Sequence, residues 1–386
     1  MEEWKEYKLG DVLTIKYGKD HKQLADGDIP IYGSGGIMRY GERSLYDGPS
    51  ILIPRKGSLN NVIYADKPFW TVDTMFWSII NDSIANPLFV YYSICKKDFA
   101  SLNVGSAVPS LTVPVIEDID ILLPSKATQD KVVSVLKSLD DKIELNRHIN
   151  DNLEQQAQAL FKSWFVDFEP FKEGKFVDSE LGMIPESWRV CSAETIFKIN
   201  IGKTPPRKEQ QWFSNINNGN VKWISISDLG SNEIFIEDSK EYLTKEAISK
   251  FNIIVVPEDT ILVSFKLTVG RVGISNCELT TNEAVARFYL PKSYFREYTY
   301  LSLKNYNYAR LGSTSSIATA VNSKIIKNMK LLIPPVTIIS EFSKRINPLF
   351  NAIRIYENEI RNLSKIRNTL LPKLMSGELK INDINN

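Results

Sequence analysis

The amino-acid sequence predicts an α/β (α+β) protein: two homologous mixed α/β domains separated by two long helices that form an antiparallel coiled coil. Three observations lead to this prediction. The chain repeats itself once, each copy ends in a long heptad seam, and each seam follows a segment rich in short strands and turns. Because the two copies are alike, we expect the whole arrangement to be pseudo-two-fold symmetric.

The internal repeat organises all 386 residues. Trp4 and the segment 15–19 recur at Trp188 and 199–203, which is an offset of 184 positions. Further along, a Gly-Ser pair and an aliphatic-Pro pair recur with offsets of 207 and 210. The offset grows because the second copy carries about 25 extra residues. We place most of them in the Asn-rich stretch 210–220 and the segment after it.

Each aliphatic-Pro pair is followed by a heptad seam. Seam positions alternate in steps of four and three from Val132 to Trp164, and adding 210 to each position reproduces the phase from Phe342 to Leu374. This pattern is typical of coiled-coil helices, here each about 50 Å long. The alternative is a helix that lies on a globular core. We expect coiled-coil and partner contacts from Leu136, Leu139, Ile143, Asn146, Asn150, Leu153, Leu160, Ile346, Leu349, Ile353, Ile360, Leu363 and Leu370.

Two polar residues stand at seam positions, and one proline lies within the second helix. Asn146 and Asn150 lower the stability of an apolar seam, but such residues fix register and partner. Pro348 predicts a kink or a late start of the second helix. With these features the predicted domains are 1–124, a first spacer helix at 125–168, a linker and second domain at 169–334, and a second spacer helix with a tail at 335–386.

Turn-rich strand patterns fill both domains. They lie at 29–36, 50–54 and 61–77 in the first copy and at 221–227, 252–265 and 270–275 in the second. A short helix is predicted at 244–250.

Charge is distributed unevenly although the net charge is only +1. Residues 1–124 contain 12 basic and 16 acidic residues, a net charge of −4, whereas residues 171–334 contain 21 and 17, a net charge of +4. A strongly basic surface that would bind nucleic acid unaided is therefore not expected. The first domain would need locally clustered cations or basic partner subunits.

Composition also excludes several classes of protein. No apolar run approaches the length that crosses a bilayer, and the acidic N-terminal segment does not resemble a signal peptide, so we expect a cytoplasmic protein with no membrane partner. Three cysteines, Cys95, Cys191 and Cys277, and two histidines, His21 and His148, lack zinc-ligand spacing. We therefore expect reduced thiols, no structural metal and no cofactor.

Catalytic signatures are not convincing either. The 202–204 segment resembles the end of a phosphate-binding loop, but Phe197 stands where that loop needs glycine. The segments 86–89 and 347–350 resemble the Asn-Pro-Pro-aromatic signature of adenine methyltransferases, but both lack the second proline. Prolines that start helices explain them better. We predict that the chain is not an enzyme.

The ordered motifs resemble one known family, the specificity subunits of Type I restriction-modification systems. The first copy matches through 27–36, 50–58, 69–70 and 73–74, and the second through 202–205, 223–229, 270–271 and 281–284. Departures occur at Val108, at 128–129 and at 340–341, where the family usually has Gln or Asn and a Glu-Gln pair.

The resemblance implies a division of labour. Each domain would be a target-recognition domain that reads one half-site in the major groove of double-stranded DNA. The helices would separate the domains and bind two methyltransferase subunits, which in turn bring restriction subunits. An antiparallel pairing of two equal seams would relate the domains by a pseudo-dyad that matches the dyad of DNA. Because the domains differ in sequence, the expected target is bipartite and asymmetric.

Candidate DNA contacts are the local clusters of cations and the small hydroxyl residues beside them. Arg is the preferred bidentate reader of guanine, and Lys mostly anchors phosphates. Tyr32, Tyr40 and Trp212 could pack on sugars or bases, although such aromatics are more often part of the core. The predicted set is Lys16, Lys19, Lys22, Arg39, Arg43, Arg55, Lys56, Ser58, Ser106, Lys203, Arg207, Lys208, Lys266, Arg271 and Ser313.

Three rival functions stay open at this point. The chain could be a single-chain methyltransferase or nuclease whose motifs have drifted, or a coiled-coil scaffold that binds no DNA. A closer rival is a specificity subunit that serves a methylation-only or related defence system. Methyl transfer by the chain alone, or the absence of any salt-dependent DNA shift, would identify the first two.

Overall fold

The structure is a computed structural model that describes residues 4–105, 107–230, 233–311 and 321–380. The chain divides into two compact units. Unit 1 comprises residues 1–143 and 362–386, and unit 2 comprises residues 144–361. Each unit therefore contains one globular domain together with a segment of each long helix.

Unit 1 consists of short strands and helices around one main core. Its strands are β1 (Lys5–Lys8), β2 (Leu13–Tyr17), β3 (Ile29–Gly33), β4 (Gly36–Gly41), β5 (Ser50–Pro54), β6 (Ile63–Ala65), β7 (Trp70–Thr71), β8 (Met75–Ile80) and β9 (Asp120–Leu123). Its helices are α1 (Leu9–Val12), α2 (Pro87–Ile94), α3 (Val113–Glu117) and the first part of α4 (Lys126–Phe165). The sheets have the orders β2-β8-β5-β6, β4-β3-β7 and β1-β9, and β3 and β7 pair in parallel.

Unit 2 has a corresponding but larger set of elements. Its strands are β10 (Phe176–Val177), β11 (Ile184–Pro185), β12 (Arg189–Ser192), β13 (Lys198–Ile201), β14 (Phe213–Ser214), β15 (Val221–Ile224), β16 (Phe235–Ile236), β17 (Tyr242–Leu243), β18 (Ile261–Ser264), β19 (Val272–Ser275), β20 (Thr280–Thr281), β21 (Val285–Tyr289) and β22 (Lys330–Ile333). Its helices are α5 (Ala193–Ile196), α6 (Lys245–Lys250), α7 (Arg296–Lys304), α8 (Ser323–Asn328) and most of α9 (Val336–Met375). The main sheets are β13-β21-β18-β19-β16 and β14-β17-β15-β20.

The internal repeat is visible in the register of these elements. Strand β1 precedes β12 by 184 positions, whereas β9 precedes β22, and α4 precedes α9, by 210. In the parallel pairs, Ile31 lies opposite Trp70 in unit 1 and Trp223 lies opposite Thr280 in unit 2. Ile31 and Trp223 are 192 positions apart, so additional residues enter both before β15 and between β15 and β18. These are the regions in which the sequence placed the extra residues.

The seam of the two long helices is buried in unit 2 against the partner helix and the domain together. Phe165 of α4 lies 4.7 Å from Phe342 of α9 and 4.8 Å from Tyr298 of α7, measured between ring centroids. Asn146, nineteen residues before Phe165 on α4, contacts Glu359, seventeen residues after Phe342 on α9. The helices therefore run antiparallel, as predicted, and they also lie on a globular core, which was the alternative.

Unit 1 shows the same arrangement with the opposite ends of the helices. Leu136 of α4 shares one core with Leu371 and Leu374 of α9. Arg367 donates to Asp140 at 2.7 Å, and the hydroxyl of Tyr92 on α2 donates to the same carboxylate at 2.7 Å. One carboxylate thus ties both helices to the domain.

The seam positions that the heptads predicted are all buried or half-buried. Buried side chains are Leu136, Ile143, Asn146, Ile346 and Ile353, and half-buried ones are Leu139, Asn150, Leu153, Leu160, Leu349, Ile360, Leu363 and Leu370. The amide nitrogen of Asn146 donates to Glu359 at 2.9 Å. The side-chain oxygens of Asn146 and Asn150 have no hydrogen-bond partner in the described part of the chain. Such groups lower stability and favour one register.

A second tie in unit 2 joins α9 to the five-stranded sheet. Glu357 is 3% exposed and its carboxylate accepts the backbone N–H groups of Ile234 at 2.6 Å and Phe235 at 3.0 Å. Burial raises the pKa of this carboxyl to about 7, although the two N–H donors lower it. Glu357 therefore links α9 to β16, and removal of the two N–H donors would leave a buried carboxyl group without hydrogen bonds, which costs free energy of folding.

The two Asn-Pro segments adopt different structures. Asn86 caps α2, since its side-chain oxygen accepts from the backbone N–H of Leu88 at 2.9 Å and of Phe89 at 3.3 Å, and Pro87 follows at the first helical position. Pro348, by contrast, lies in the fourth turn of α9, which begins at Val336. The predicted late start of this helix is wrong. Buried neighbours on the seam, Ile346 and Phe350, hold the proline inside the helix.

Candidate nucleic-acid interface

In unit 1 a Gly-Lys turn at the end of β2 is fixed by backbone hydrogen bonds. The N–H of Gly18 donates to the carbonyl of Met75 at 3.0 Å, and the N–H of Lys19 donates to that of Thr71 at 2.9 Å. A Cβ at Gly18 would lie 2.0 Å from the carbonyl oxygen of Val72, so only glycine fits. The lysine is thereby held at the edge of the sheet by its backbone.

Unit 2 repeats this turn at the end of β13. The N–H of Gly202 donates to Val285 at 3.2 Å, and that of Lys203 donates to Thr281 at 3.0 Å. A Cβ at Gly202 would lie 2.1 Å from the carbonyl oxygen of Asn282. The two turns therefore use equivalent partners, 210 positions apart.

A tryptophan indole satisfies the lysine carbonyl in each unit, but from a different strand. The Nε1 of Trp70 on β7 donates to Lys19 at 3.0 Å, and the Nε1 of Trp223 on β15 donates to Lys203 at 3.1 Å. Strand β15 corresponds to β3, not to β7. The same hydrogen bond to the lysine carbonyl is therefore formed by tryptophans at positions that are not equivalent in the repeat. Both units thus keep the same turn geometry with different supporting residues.

In both units a second segment is hydrogen-bonded to the residues that accept the Gly-Lys turn, 71–75 in unit 1 and 281–285 in unit 2. In unit 1 the N–H groups of Arg55 and Lys56 both donate to the carbonyl of Thr74, at 2.8 and 3.2 Å. In unit 2 the N–H of Phe265 donates to Ala284 at 3.0 Å. Each unit therefore brings a lysine of the second segment, Lys56 or Lys266, to the segment 71–75 or 281–285, to which the Gly-Lys turn with Lys19 or Lys203 is also bonded.

Most of the predicted cations of unit 1 are exposed. Within the described residues, no carboxylate lies within salt-bridge distance of the exposed side chains Lys16, Lys19, Lys22, Arg43 and Lys56. Arg43 lies over the ring of Trp70 at 5.9 Å. Ser58 is exposed beside Lys56. These side chains can approach an anionic ligand without breaking an ion pair.

Arg55 and Arg39 have partners within unit 1. Arg55 lies over the ring of Tyr17 at 5.5 Å and donates to the carbonyl of Asp73 at 3.3 Å, which restricts its orientation. Arg39 donates to the carbonyl of Leu24 and pairs with Asp26 at 3.4 Å. Arg39 thus holds the chain before β3, and its guanidinium is the least available of the predicted set in this unit.

Three of the predicted cations in unit 2, Arg207, Arg271 and Lys203, also stabilise the fold. Arg207 forms a bidentate pair with Glu241, at 2.7 and 2.9 Å, and lies 4.5 Å from the rings of both Phe213 and Trp223. The guanidinium lowers the pKa of Glu241. In addition, Arg271 donates to the carbonyl of Ile226 at 2.8 Å.

The side chain of Lys203 donates at 3.2 Å to two carbonyls at the end of α6, Phe251 and Asn252. Lys208 and Lys266 are exposed, and within the described residues no carboxylate lies within salt-bridge distance of either. Arg207 and Arg271, which the sequence assigned to ligand contact, therefore bind groups of unit 2 itself, although the side chain of Arg207 is 49% exposed. Sequence alone does not show which carboxylates, carbonyls and aromatic rings surround them.

The predicted aromatic contacts separate in the same way. Tyr32 packs against Phe69 and Trp212 against Phe251, so both belong to cores. Tyr40 is 50% exposed on β4. Sequence reasoning missed Tyr17, 56% exposed under Arg55, and Leu267, which is 97% exposed.

The Gly-Ser loops are described only in part. Ser106 and Ser313 lie outside the described residues. Before Ser106, the side-chain oxygen of Asn103 accepts the backbone N–H groups of Gly105 and Ser110, both at 2.8 Å. The N–H of Gly57 donates to the carbonyl of Pro109 at 3.2 Å, so this loop borders the segment that carries Lys56.

The described part of the chain has no metal-binding cluster, membrane-spanning helix or disulfide. Among the described residues no cluster of His, Cys, Asp or Glu could hold a metal ion. No helix in the described ranges is long and apolar enough to span a membrane. Cys95, Cys191 and Cys277 are free and half-buried.

We predict that Arg207→Ala destabilises unit 2, because it removes the partner of Glu241 and the cation that lies over the rings of Phe213 and Trp223. The expected loss of unfolding free energy is about 1–2 kcal/mol, measured by chemical or thermal denaturation. Lys208→Ala changes the exposed neighbour and is the matched control, with no loss expected. Equal stabilities of the two variants would contradict this assignment.

Comparison with known proteins gives a consistent result. The family described as "Type I restriction modification DNA specificity domain" matches residues 1–155 and 185–365. The chain is 29% identical to the Type I restriction enzyme MjaIX specificity subunit of Methanocaldococcus jannaschii, over 98% of this chain and 89% of that protein. It is 23% identical to the HindI specificity subunit of Haemophilus influenzae, over 98% and 100%.

Among solved structures, the Type-I restriction-modification S subunit from M. genitalium superimposes with a TM-score of 0.64 at 15% identity, covering 97% of this chain and 96% of that one, which shows a shared fold. The two family matches fall on the two halves of the internal repeat. The chain therefore belongs to the family of Type I restriction-modification DNA specificity subunits, which are non-catalytic.

Proposed function

We propose that the chain reads a bipartite, asymmetric DNA target for a Type I restriction-modification complex. Each globular domain contributes one reader of double-stranded DNA through the edge built on its Gly-Lys turn. The two long helices dock two methyltransferase subunits, and restriction subunits join through these.

The observation that carries the proposal is the matched pair of lysine turns. Each edge carries two lysines, Lys19 with Lys56 in unit 1 and Lys203 with Lys266 in unit 2. In each pair, the two backbone segments bond to the same partner segment, 71–75 or 281–285. Lysine acts mostly as a phosphate anchor, and backbone-fixed anchors set the position of a reader on the duplex. The same backbone geometry in both units supports two equivalent modes of docking, although the Nζ of Lys203, unlike that of Lys19, also donates to the carbonyls of Phe251 and Asn252.

Different side chains at equivalent backbone positions support different half-sites. Arg55 of unit 1 corresponds to Phe265 of unit 2, and Gly57 corresponds to Leu267, each 210 positions later. Arg55 is held by Tyr17 and Asp73 and has a fork that suits the acceptors of guanine. Phe265 is 1% exposed and cannot read a base. One scaffold therefore presents two sets of base-contacting groups.

Partner docking is supported by exposed apolar residues on the long helices. In unit 2, Leu145 of α4 is 53% exposed and Ile355 of α9 is 64% exposed, and neither residue is a seam position. With a net charge of +1 the chain has little electrostatic attraction for DNA of its own. Tight binding is therefore expected only in a complex with methyltransferase subunits.

The first test removes phosphate anchors. In the complex with methyltransferase subunits, Lys19→Ala with Lys56→Ala should reduce the slope of log Kobs against log salt by about 1–2, at roughly 0.9 per phosphate contact. The methylated motif should stay the same. The control is Lys5→Ala with Lys97→Ala. It removes two exposed lysines whose backbones do not bond to residues 71–75, the segment that holds Lys19 and Lys56. Equal slopes for both double variants would exclude this edge as the interface.

The second test exchanges one reader. Replacing residues 1–124 with the matching segment of a relative that has a different target should change one half-site and leave the other intact, because each domain reads by itself. Methylome sequencing of cells that express the hybrid with its methyltransferase measures this. Changes in both half-sites, with normal expression of the hybrid, would refute two independent readers.

The third test concerns docking on the helices. Ile355→Asp should weaken co-purification with methyltransferase subunits by about tenfold or more, since a charge would be buried in an apolar contact. Its melting temperature should stay unchanged, because Ile355 is exposed within unit 2. Gln155→Asp, on an exposed position of α4, provides a charge-matched control. Normal assembly of Ile355→Asp would move the docking surface elsewhere.

A further inference from the structure

Leu267 has an unusual combination of exposure and backbone conformation. It is 97% exposed, at the tip of the loop between β18 and β19. Its φ of 58° lies in the left-handed region, which L residues with a Cβ rarely adopt. At the equivalent position unit 1 has Gly57, with a φ of 90°, the residue that this conformation favours. Unit 2 therefore keeps an apolar side chain where the backbone prefers glycine.

The loop is held in place by hydrogen bonds at its base. The hydroxyl of Ser264 donates to the carbonyl of Thr268 at 2.6 Å and accepts the N–H of Arg271 at 2.9 Å. The N–H of Gly270 donates to the carbonyl of Ser264 at 2.9 Å. Leu267 is therefore presented on a closed loop, and strain that persists in such a place points to a role for the side chain.

The surroundings of Leu267 indicate what the side chain meets. Lys266 precedes it, and Phe265 anchors the loop to the turn that also holds Lys203. If this edge faces DNA, a leucine there has no hydrogen bond to offer. In the major groove the apolar group that distinguishes one base pair from the others is the C5-methyl of thymine.

We propose that Leu267 reads a thymine by contact with its C5-methyl group, within the half-site of unit 2. This inference rests on the proposed function, because it needs the Lys203 and Lys266 edge to face the major groove. The glycine of unit 1 leaves its own half-site without this contact, so the two readers differ at one defined position.

The test removes the methyl group from the DNA. After methylome sequencing of the wild type and the domain hybrid has assigned the half-sites, each thymine in the half-site of unit 2 is replaced singly by deoxyuridine. Dissociation constants are measured with the methyltransferase complex. Wild type should lose about fourfold in affinity at one position, the equivalent of one buried methyl-sized group. Leu267→Gly should bind the unmodified duplex about fourfold more weakly and lose nothing further at that position.

Controls distinguish failure of the thymine contact from failure of the proposed DNA-binding edge. Leu267→Gly should melt at or above the wild-type temperature, since glycine relieves the left-handed strain, so weaker binding would not reflect misfolding. Lys266→Ala should weaken binding to thymine and deoxyuridine duplexes by the same factor. If Lys266→Ala and Lys203→Ala change nothing, the proposed DNA edge fails.

If Lys266→Ala weakens binding but Leu267→Gly shows the wild-type loss at every deoxyuridine, only the thymine contact fails. A half-site without thymine on either strand would also overturn it. So would a Leu267→Gly variant that changes DNA bending while wild type tolerates every deoxyuridine, since that would mark a wedge between base steps.

Discussion

The need to bury the apolar seam of the two long helices underlies the structure of both units. Neither helix can bury that seam alone, and each unit covers a segment of it with the other helix and with the core of a domain. In unit 2, Phe165, Phe342 and Tyr298 form one aromatic contact that belongs to two helices and the domain at once. Each domain therefore shares its core with segments of both long helices.

The two domains form the same Gly-Lys turn with different supporting residues. The close approach at Gly18 and Gly202 leaves no space for a side chain, so both turns have the same backbone. The indole that completes each turn comes from strands that are not equivalent, Trp70 in one unit and Trp223 in the other. The geometry of the turn is thus more strictly maintained than the residues that support it. Residues beyond the turn are free to differ, as Gly57 and Leu267 do.

Charge has two uses in this chain, and the structure separates them. Arg39, Arg207 and Arg271 bind carbonyls, carboxylates or rings inside their own unit. Arginine suits this use, because its planar fork bonds bidentately and stacks on aromatic faces. The exposed lysines on the same edges have no carboxylate partners in the described part of the chain. A nearly neutral chain in this way keeps exposed cations that are not neutralised by a neighbouring carboxylate among the described residues.

The sequence by itself determined the repeat, the two heptad seams with their phase, the antiparallel pairing and the mixed α/β class, because periodicity and self-similarity can be read from the order of residues alone. It also predicted a helix at 244–250, which the structure shows at Lys245–Lys250 after the cap Thr244. Tertiary structure decided which cations are free, since the rings and carboxylates around Arg207 lie up to 34 positions away in sequence. It also decided that Pro348 sits inside a helix, where burial of its neighbours outweighs the lost hydrogen bond. Finally, only the fold revealed that Leu267 occupies a left-handed position that Gly57 fills in the other unit, because backbone angles at a loop tip follow from the strands that close it.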